Sequence, residues 1–207
     1  HAIFDKLVKS SNYKVRRLEI KKFNSINKYV KKGIAITPVK FGISFTTMHL
    51  NQAGALVHIY CNDGSCHINT GAIEMGQGTY TKIGQLAAAE LGLPINKIKV
   101  SATRTDKVPN TSASAASSTT DLNGAAMLDA IGKIKKNLSQ FVTRKYKLKN
   151  GKAVYKDGFV NFKGKSFKFN KLIKEAYLNR VSLSSSGFYS TPKIRFNNKK
   201  FQGRPFL

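Results

Sequence analysis

Apolar positions along the chain fall into two rhythms, one helical and one extended, and the switches between them mark the elements. In residues 13–30, Val15, Leu18, Phe23, Ile26 and Val30 recur mostly at helical spacing, with Ile20 slightly off the stripe. Residues 2–10 and 13–30 are thus predicted to be Lys-rich amphipathic helices, ended by Gly33. Residues 34–44 have strand character, interrupted by Pro38 and Gly42. Residues 53–61 and 66–70 flank Asn62-Asp63-Gly64-Ser65, which predicts a hairpin, because Asp-Gly tolerates left-handed turn conformations. Residues 80–91 read as a helix with Ile83, Leu86, Ala87 and Leu91 on its buried side and Gly92 as its stop.

Beyond that point the rhythm alternates again. Residues 98–102 form a short strand, and a small-residue stretch, 109–124, leads into a helix over 122–141 striped by Met127, Ile131, Ile134 and Leu138. A second hairpin joins 153–155 to 159–162 around Asp157-Gly158, followed by a strand over 166–169. Asn170 is expected to cap a last helix reaching Tyr177. This order predicts an α+β fold of two layers, helices packed on one face of a sheet.

Composition narrows the class. The 207 residues are 41% apolar and 10% aromatic, enough for a buried core. The longest apolar runs fall far short of the roughly 20 residues that span a bilayer, and no signal peptide opens the chain, so a protein away from membranes is expected. The formal charge of +26 suggests nucleic acid, but its distribution argues otherwise. Residues 1–40 carry a net +9 and residues 131–207 a net +18, whereas residues 41–130, which hold the Gly- and Ala-rich motifs, carry a net −1. Lys outnumbers Arg by 29 to 7, although Arg is the better bidentate reader of phosphates and guanines. A solvated lysine surface is the simpler reading, and no specific nucleic-acid partner is expected. Two cysteines are too few for a disulfide framework or an iron–sulfur cluster, so free thiols in a reducing cytoplasm are the default. A start at His1 rather than Met suggests a piece of a longer polypeptide.

Candidate chemistry concentrates in the nearly neutral middle. Glu74-Met75-Gly76-Gln77-Gly78 lies between a strand and a helix, where glycines let backbone approach a ligand and helix N–H groups can receive an anion. A plain strand-to-helix turn explains the same spacing. Residues 113–121 bring small side chains and hydroxyls to another helix start, a possible nest of N–H donors or simply a capped helix. Two such loops in one domain favour an extended anionic ligand. In Phe41-Gly42-Ile43-Ser44-Phe45-Thr46 an aromatic beside the glycine break either stacks on a flat substrate or, more commonly, belongs to the core. His49, His58 and His67 form no metal site by spacing, and no residues are assigned to a metal. Asp63 belongs to a turn and Glu90 and Asp129 to helices, and no catalytic triad or general base stands out.

The blocks PVKFGISFT, LNQAGALVHIY, EMGQG, KVPNTSASAASSTTDLNG and SLSSSGFYSTPKI, in this order and spacing, resemble the molybdenum-binding part of the molybdenum hydroxylases, the family of the xanthine dehydrogenases and aldehyde oxidases. The likeness runs from about Phe4 to Phe206, and LNQAGAL and SSSGFYSTP lean towards the xanthine dehydrogenases. The resemblance implies an oxidoreductase of purine catabolism that hydroxylates a carbon next to nitrogen with oxygen from water. Electrons would pass from molybdenum through 2Fe-2S clusters to FAD and NAD, the clusters and FAD being held elsewhere in the parent enzyme. By residue, it implies that Met75, Gly76, Gln77 and Gly78 touch the molybdopterin, and that Ala116, Ser117, Ser118 and Thr119 meet its pterin or phosphate end. Phe45, Thr46, Ala115 and Ala116 would line a purine pocket.

The same resemblance puts the catalytic glutamate beyond Leu207 and the purine-orienting Arg before His1, so these 207 residues alone are expected to be inactive. It divides the chain into a helical lead-in over 1–33 and a molybdopterin-binding domain over 34–207, incomplete at its C-terminal end. The partners implied are a purine substrate, the remaining molybdenum-domain segments and the FAD and iron–sulfur parts. Where relatives usually carry two glycines before EMGQG, this chain has Gly71 and Ala72. The alternatives are an aldehyde or N-heterocycle hydroxylase of the same family, a non-catalytic basic nucleic-acid module, and a cofactor-free domain kept for assembly.

Overall fold

The computed structural model describes residues 2–39, 41–149 and 151–204, divided into a first unit, His1–Phe41, and a second, Gly42–Leu207. In the first unit α1 (Ala2–Ser10) and α2 (Tyr13–Ile26) are separated by Asn12, whose φ of 51° is one of the left-handed conformations that Asn tolerates. Neither helix buries a residue, and Val15, Leu18 and Ile26 stay exposed. α2 stops four residues short of the predicted end. Both the backbone N–H and the side-chain amide of Asn27 donate to Phe23 O, a local bond that competes with a further helical turn. The strand expected over 34–44 does not form among its described residues, and Lys40 lies outside them. Pro38 cannot donate to a ladder, and among the described residues of this stretch Ile43 alone enters an isolated β-bridge.

The second unit starts with β1 (Gln52–Ile59) and β2 (Cys66–Thr70), antiparallel with Ile59 opposite Cys66. Their connection is wider than the expected tight turn, because six residues, 60–65, separate the last pair. Gly64 takes φ 71°, and the Asp63 carboxylate accepts hydrogen bonds from the Ser65 N–H and hydroxyl at 3.0 and 2.7 Å. α3 (Thr79–Leu91) follows and ends at Gly92, φ 62°, in a left-handed C-cap. After β3 (Ile98–Val100) comes the 28-residue α4 (Thr119–Tyr146), longer than predicted at both ends.

A small antiparallel sheet is then built from β4 (Val154–Lys156), β5 (Phe159–Phe162) and β6 (Lys165–Lys168). Its turns are Asp157-Gly158 and Lys163-Gly164, all four residues at positive φ. α5 (Phe169–Leu178) starts two residues earlier than an Asn170 cap would place it. Lys168 occupies its N-cap position without a side-chain bond, so Asn170 lies inside the first turn rather than capping it. The chain closes with β7 (Ser184–Ser190) and the hairpin β8 (Arg195–Asn197) and β9 (Gln202–Arg204).

The main sheet has the order β3-β2-β1-β7, with β2 and β3 parallel and the other pairs antiparallel. One face carries Ala53, Ala55, Val57, Ile59, Cys66 and Ile68, all buried, against the α4 stripe of Leu122, Met127, Ile131, Ile134 and Leu138. Each fully buried Val, Ile, Leu or Met among them contributes roughly 1.5–3 kcal/mol. Small residues set the spacing. Gly187 of β7 lies so close to α4 that an added Cβ would come 1.9 Å from Ala126 O and 2.6 Å from Ala130 N. Two α4 side chains then reach past the β7 backbone: Asp129 accepts the Phe188 N–H at 3.0 Å, and Lys133 Nζ donates to Ser186 O at 3.0 Å. The fold is α+β, with α3 and α4 layered on one face of the main sheet.

Candidate functional site

The two anion-loop candidates and the Phe45 segment meet at one end of the main sheet. β2 ends at Thr70 and runs through Gly71 and Ala72 into the 74–78 loop and α3. Residues 109–112 extend the sheet beside the start of β1: Ser112 N–H donates to Gln52 O and Gly54 N–H to Asn110 O, both at 3.0 Å. The chain then passes through residues 113–118 into α4. Ile73 N–H donates to Ser114 Oγ at 2.8 Å and so ties the two loops together. Ala72, where the resemblance expects glycine, is fully buried, whereas a Cβ on Gly71 would strike Thr111 Cγ2 at 2.0 Å. The extra methyl therefore sits at the position of the pair that has room for it.

Sequence reasoning missed the polar frame beneath these loops. Asn123, buried in α4, accepts the Thr70 and Thr111 hydroxyls at 2.7 and 3.2 Å and donates to Thr119 O at 2.9 Å. Thr103 Oγ1 donates towards Thr70 O and Ala72 O, and its N–H donates to the Tyr80 hydroxyl at 3.1 Å. Asn51 accepts the Phe45 N–H at 2.7 Å and returns a bond to Phe45 O at 3.0 Å. Each Asn lies next to a stretch of Thr, Ser or Phe whose backbone must be held without regular structure, the one signal that could have flagged it.

In the 74–78 loop the helix start is already occupied. Glu74 Oε1 accepts the N–H groups of Gly76 and Gly78 at 2.9 Å each, and Oε2 accepts that of Tyr80 at 3.0 Å. These backbone bonds, Tyr80 first, hold the Glu74 carboxyl below its ordinary range. Gly76 and Gly78 take φ of 97° and 77° with open space where a Cβ would stand, so conformation rather than crowding demands glycine there. The Gln77 amide is folded inward, accepting Met75 N–H at 2.6 Å and donating to Ile73 O at 2.7 Å. Met75 stands out into solvent, and the buried Thr79 hydroxyl has no partner among the described residues.

The α4 loop is the reverse. Ala116 and Ser117 both have positive φ, 52° and 54°, and lead into Ser118, the N-cap position. Ser118 spends its own N–H and hydroxyl on Ala115 O. The N–H groups of Ala116, Ser117, Thr119, Thr120 and Asp121 find no acceptor among the described residues, at the positive end of a 28-residue helix. Such a donor set suits an anionic group, the chemistry that a phosphate-bearing ligand presents. Nearby, burial pushes the Asp121 carboxyl up.

Phe45, half-buried, and Thr46, exposed, line a cavity of about 270 Å³ with Gly42, Ser44, Ile194 and Arg204. Ala115 and Ala116 are not in its lining, so the four residues expected around a purine are not gathered into that one cavity. Elsewhere, His58 lies opposite His67 in register, their rings edge to face at 5.6 Å. Among the described residues no three His, Cys, Asp or Glu side chains come together as a metal site. Cys61 and Cys66 are free thiols, and burial pushes the Cys66 thiol up to about 12. No described helix is long and apolar enough to cross a membrane.

The family model of the molybdopterin cofactor-binding domain matches residues 6–207. Xanthine dehydrogenase of Oryza sativa subsp. japonica is 40% identical over 206 residues, covering 100% of this chain and 14% of the relative. Xanthine dehydrogenase/oxidase of Gallus gallus is 43% identical over 203 residues, covering 98% of this chain and again 14% of the relative. The chain therefore spans about one seventh of these relatives' length. Among solved structures, the Cu,Mo-CO dehydrogenase in its carbon monoxide reduced state superposes with a TM-score of 0.74 at 22% identity, covering 91% of this chain and 26% of that one. Quinoline 2-oxidoreductase from Pseudomonas putida 86 gives 0.71 at 18% identity, covering 97% and 29%. At such identities these two likenesses speak for the fold.

Proposed function

The chain belongs to the molybdopterin cofactor-binding domain family, and from that premise we propose that it is the cofactor-holding part of a xanthine dehydrogenase whose natural-length enzyme hydroxylates hypoxanthine or xanthine. The identity of 40–45% to xanthine dehydrogenases along nearly the whole chain supports the choice of enzyme. The observation that carries the ligand reading is the bare donor set at the start of α4, which fits the anionic end of a molybdopterin. Ala116, Ser117, Ser118 and Thr119 would hold that end, and Met75, Gly76, Gln77 and Gly78 would face the rest of the cofactor. Because the Gly76 and Gly78 N–H groups are taken by Glu74, this second loop would contribute the Gln77 amide and the Met75 side chain rather than backbone donors. When bound, the cofactor supplies two-electron redox chemistry at molybdenum and transfer of a water-derived oxygen to carbon.

The protein's share lies in binding and orientation. Asn51 fixes the backbone of Phe45, and Phe45, Thr46, Ala115 and Ala116 would face the purine once neighbouring segments complete the pocket. No catalytic residue is assigned within the 207 residues, so this stretch by itself would not oxidise xanthine. The working enzyme would add the other molybdenum-domain segments and the FAD and 2Fe-2S parts, and would operate in purine catabolism in the cytoplasm. Residues 1–33 would serve as a helical lead-in to a cofactor-binding domain over 34–207.

Molybdenum analysis of the natural-length enzyme tests the assignment. Gln77→Ala and Gly76→Leu should each lower bound molybdenum, the second because a side chain at φ 97° strains the loop. Unchanged metal content in both variants would refute the cofactor reading, and turnover of aldehydes in place of xanthine would refute the substrate.

A further inference from the structure

α3 and α4 begin beside each other at one end of the main sheet, yet their first turns are in opposite states. At α3 both oxygens of the Glu74 carboxylate are spent on three backbone N–H groups, those of Gly76, Gly78 and Tyr80. At α4 the corresponding groups have no acceptor among the described residues. We propose that Glu74 is a positioning residue that closes the start of α3 to outside anions and so directs the anionic end of the ligand to α4. The direction towards α4 rests on the cofactor reading above, whereas the closing of α3 stands on the geometry of this chain.

The argument is one of competition. Gly76 and Gly78, both at positive φ, turn their N–H groups towards one point, where Oε1 sits. A free phosphate arriving there has to displace a carboxylate tethered two residues away, which competes at a high effective concentration. Charge matters as well as occupancy, since a carboxylate against the α3 dipole leaves little positive field for a second anion.

Glu74 and Gln77 also divide the loop between them. The Gln77 amide bridges Ile73 and Met75, while Glu74 holds Gly76 to Tyr80. Gln77 can therefore exchange its two bonds for a ligand without releasing the start of α3. An alanine at position 74 removes the internal anion and turns a closed helix start into an open one.

The test is amide hydrogen exchange over residues 73–82 in the natural-length polypeptide expressed without the cofactor, with inorganic phosphate and acetate as probes. In the unsubstituted protein neither anion should slow exchange there. Glu74→Ala should speed it about tenfold or more, because charge-assisted bonds are lost, and acetate or phosphate should restore the slow rate. Glu74→Gln, which keeps the shape without the charge, should fall between the two. Phosphate slowing exchange in the unsubstituted protein would overturn the proposal. So would a Glu74→Ala variant whose fast exchange neither anion reverses, since that is a merely structural loss. If Glu74→Ala unfolds throughout, the phosphate arm on the unsubstituted protein and the Glu74→Gln variant decide. Molybdenum content is measured separately on protein expressed with the cofactor. Its absence from the unsubstituted enzyme would refute the cofactor reading and leave the exchange result on Glu74 standing.

Discussion

Gly187 in β7 faces the backbone of α4 with no side chain between them, and replacing it by Ala measures how tightly the two layers are locked. The new Cβ would sit 1.9 Å from Ala126 O and 2.6 Å from Ala130 N, so reaching an ordinary contact of 3.4 Å requires β7 or α4 to retreat by about 1.5 Å. Both opposing atoms are backbone, and no rotamer change can relieve the clash. Overpacking a core costs typically about 1–3 kcal/mol, and a backbone clash belongs at the upper end. For a domain of this size, that corresponds to a melting temperature lower by roughly 6–12 °C.

The control is Gly132→Ala in the same helix, where an added Cβ meets nothing within 4 Å. That change should stabilise by about 0.8–1 kcal/mol through helix propensity alone. Urea and thermal unfolding followed by circular dichroism read both variants. A Gly187→Ala protein within about 1 kcal/mol of the original, too small for overpacking, would show that the layers are not locked through this glycine.

Asn123→Ala strands the Thr70 and Thr111 hydroxyls and should cost about 1–3 kcal/mol in urea unfolding; a neutral result would remove Asn123 from the frame beneath the site. Ala116→Gly relieves a left-handed residue and should stabilise by roughly 1 kcal/mol, with loss of stability counting against the conformation at 116. At mildly alkaline pH iodoacetamide should label Cys61 and spare Cys66, whose buried thiol stays protonated until about 12; peptide mapping that finds both labelled in folded protein refutes this. The Ser65 N–H and hydroxyl lower the Asp63 carboxyl from 3.8 to about 2. Its contribution to stability is therefore present above pH 3.8 and disappears as pH falls through about 2, and Ser65→Ala, which removes the hydroxyl but keeps the larger contribution of the backbone N–H, should raise the NMR-detected titration only part of the way.

What could be read from the sequence was whatever carried its own periodicity or turn chemistry. The α4 stripe of Met127, Ile131, Ile134 and Leu138 is buried as predicted, and Asp157-Gly158 forms its turn. β7 was not foreseen because Ser184–Ser190 buries Gly187 alone, so no hydrophobic alternation marks it. Its place is set by pairing with β1 and by the absence of a side chain at 187, both tertiary facts. Residues 34–44 failed the other way, with strand-like composition but, among the described residues, no more than a single bridge at Ile43. The two loops were legible as small-residue approaches to helix starts. Their inequality was not, because Glu74 reads equally well as a ligand-facing acid and as a cap that folds back on its own helix.

The bonds from α4 to the backbone of β7 also bear on how the protein behaves in a crowded solution. Among the described residues β7 is, with β3, an edge strand of its sheet, and a bare edge strand is a template on which another chain can add in register. Here the Phe188 N–H is already given to Asp129 and the Ser186 carbonyl already receives Lys133, an i,i+4 ion pair that straddles the exposed rim. The helix whose start is proposed to hold the ligand thus also occupies, further along its length, two of the backbone groups through which another strand could add to this edge.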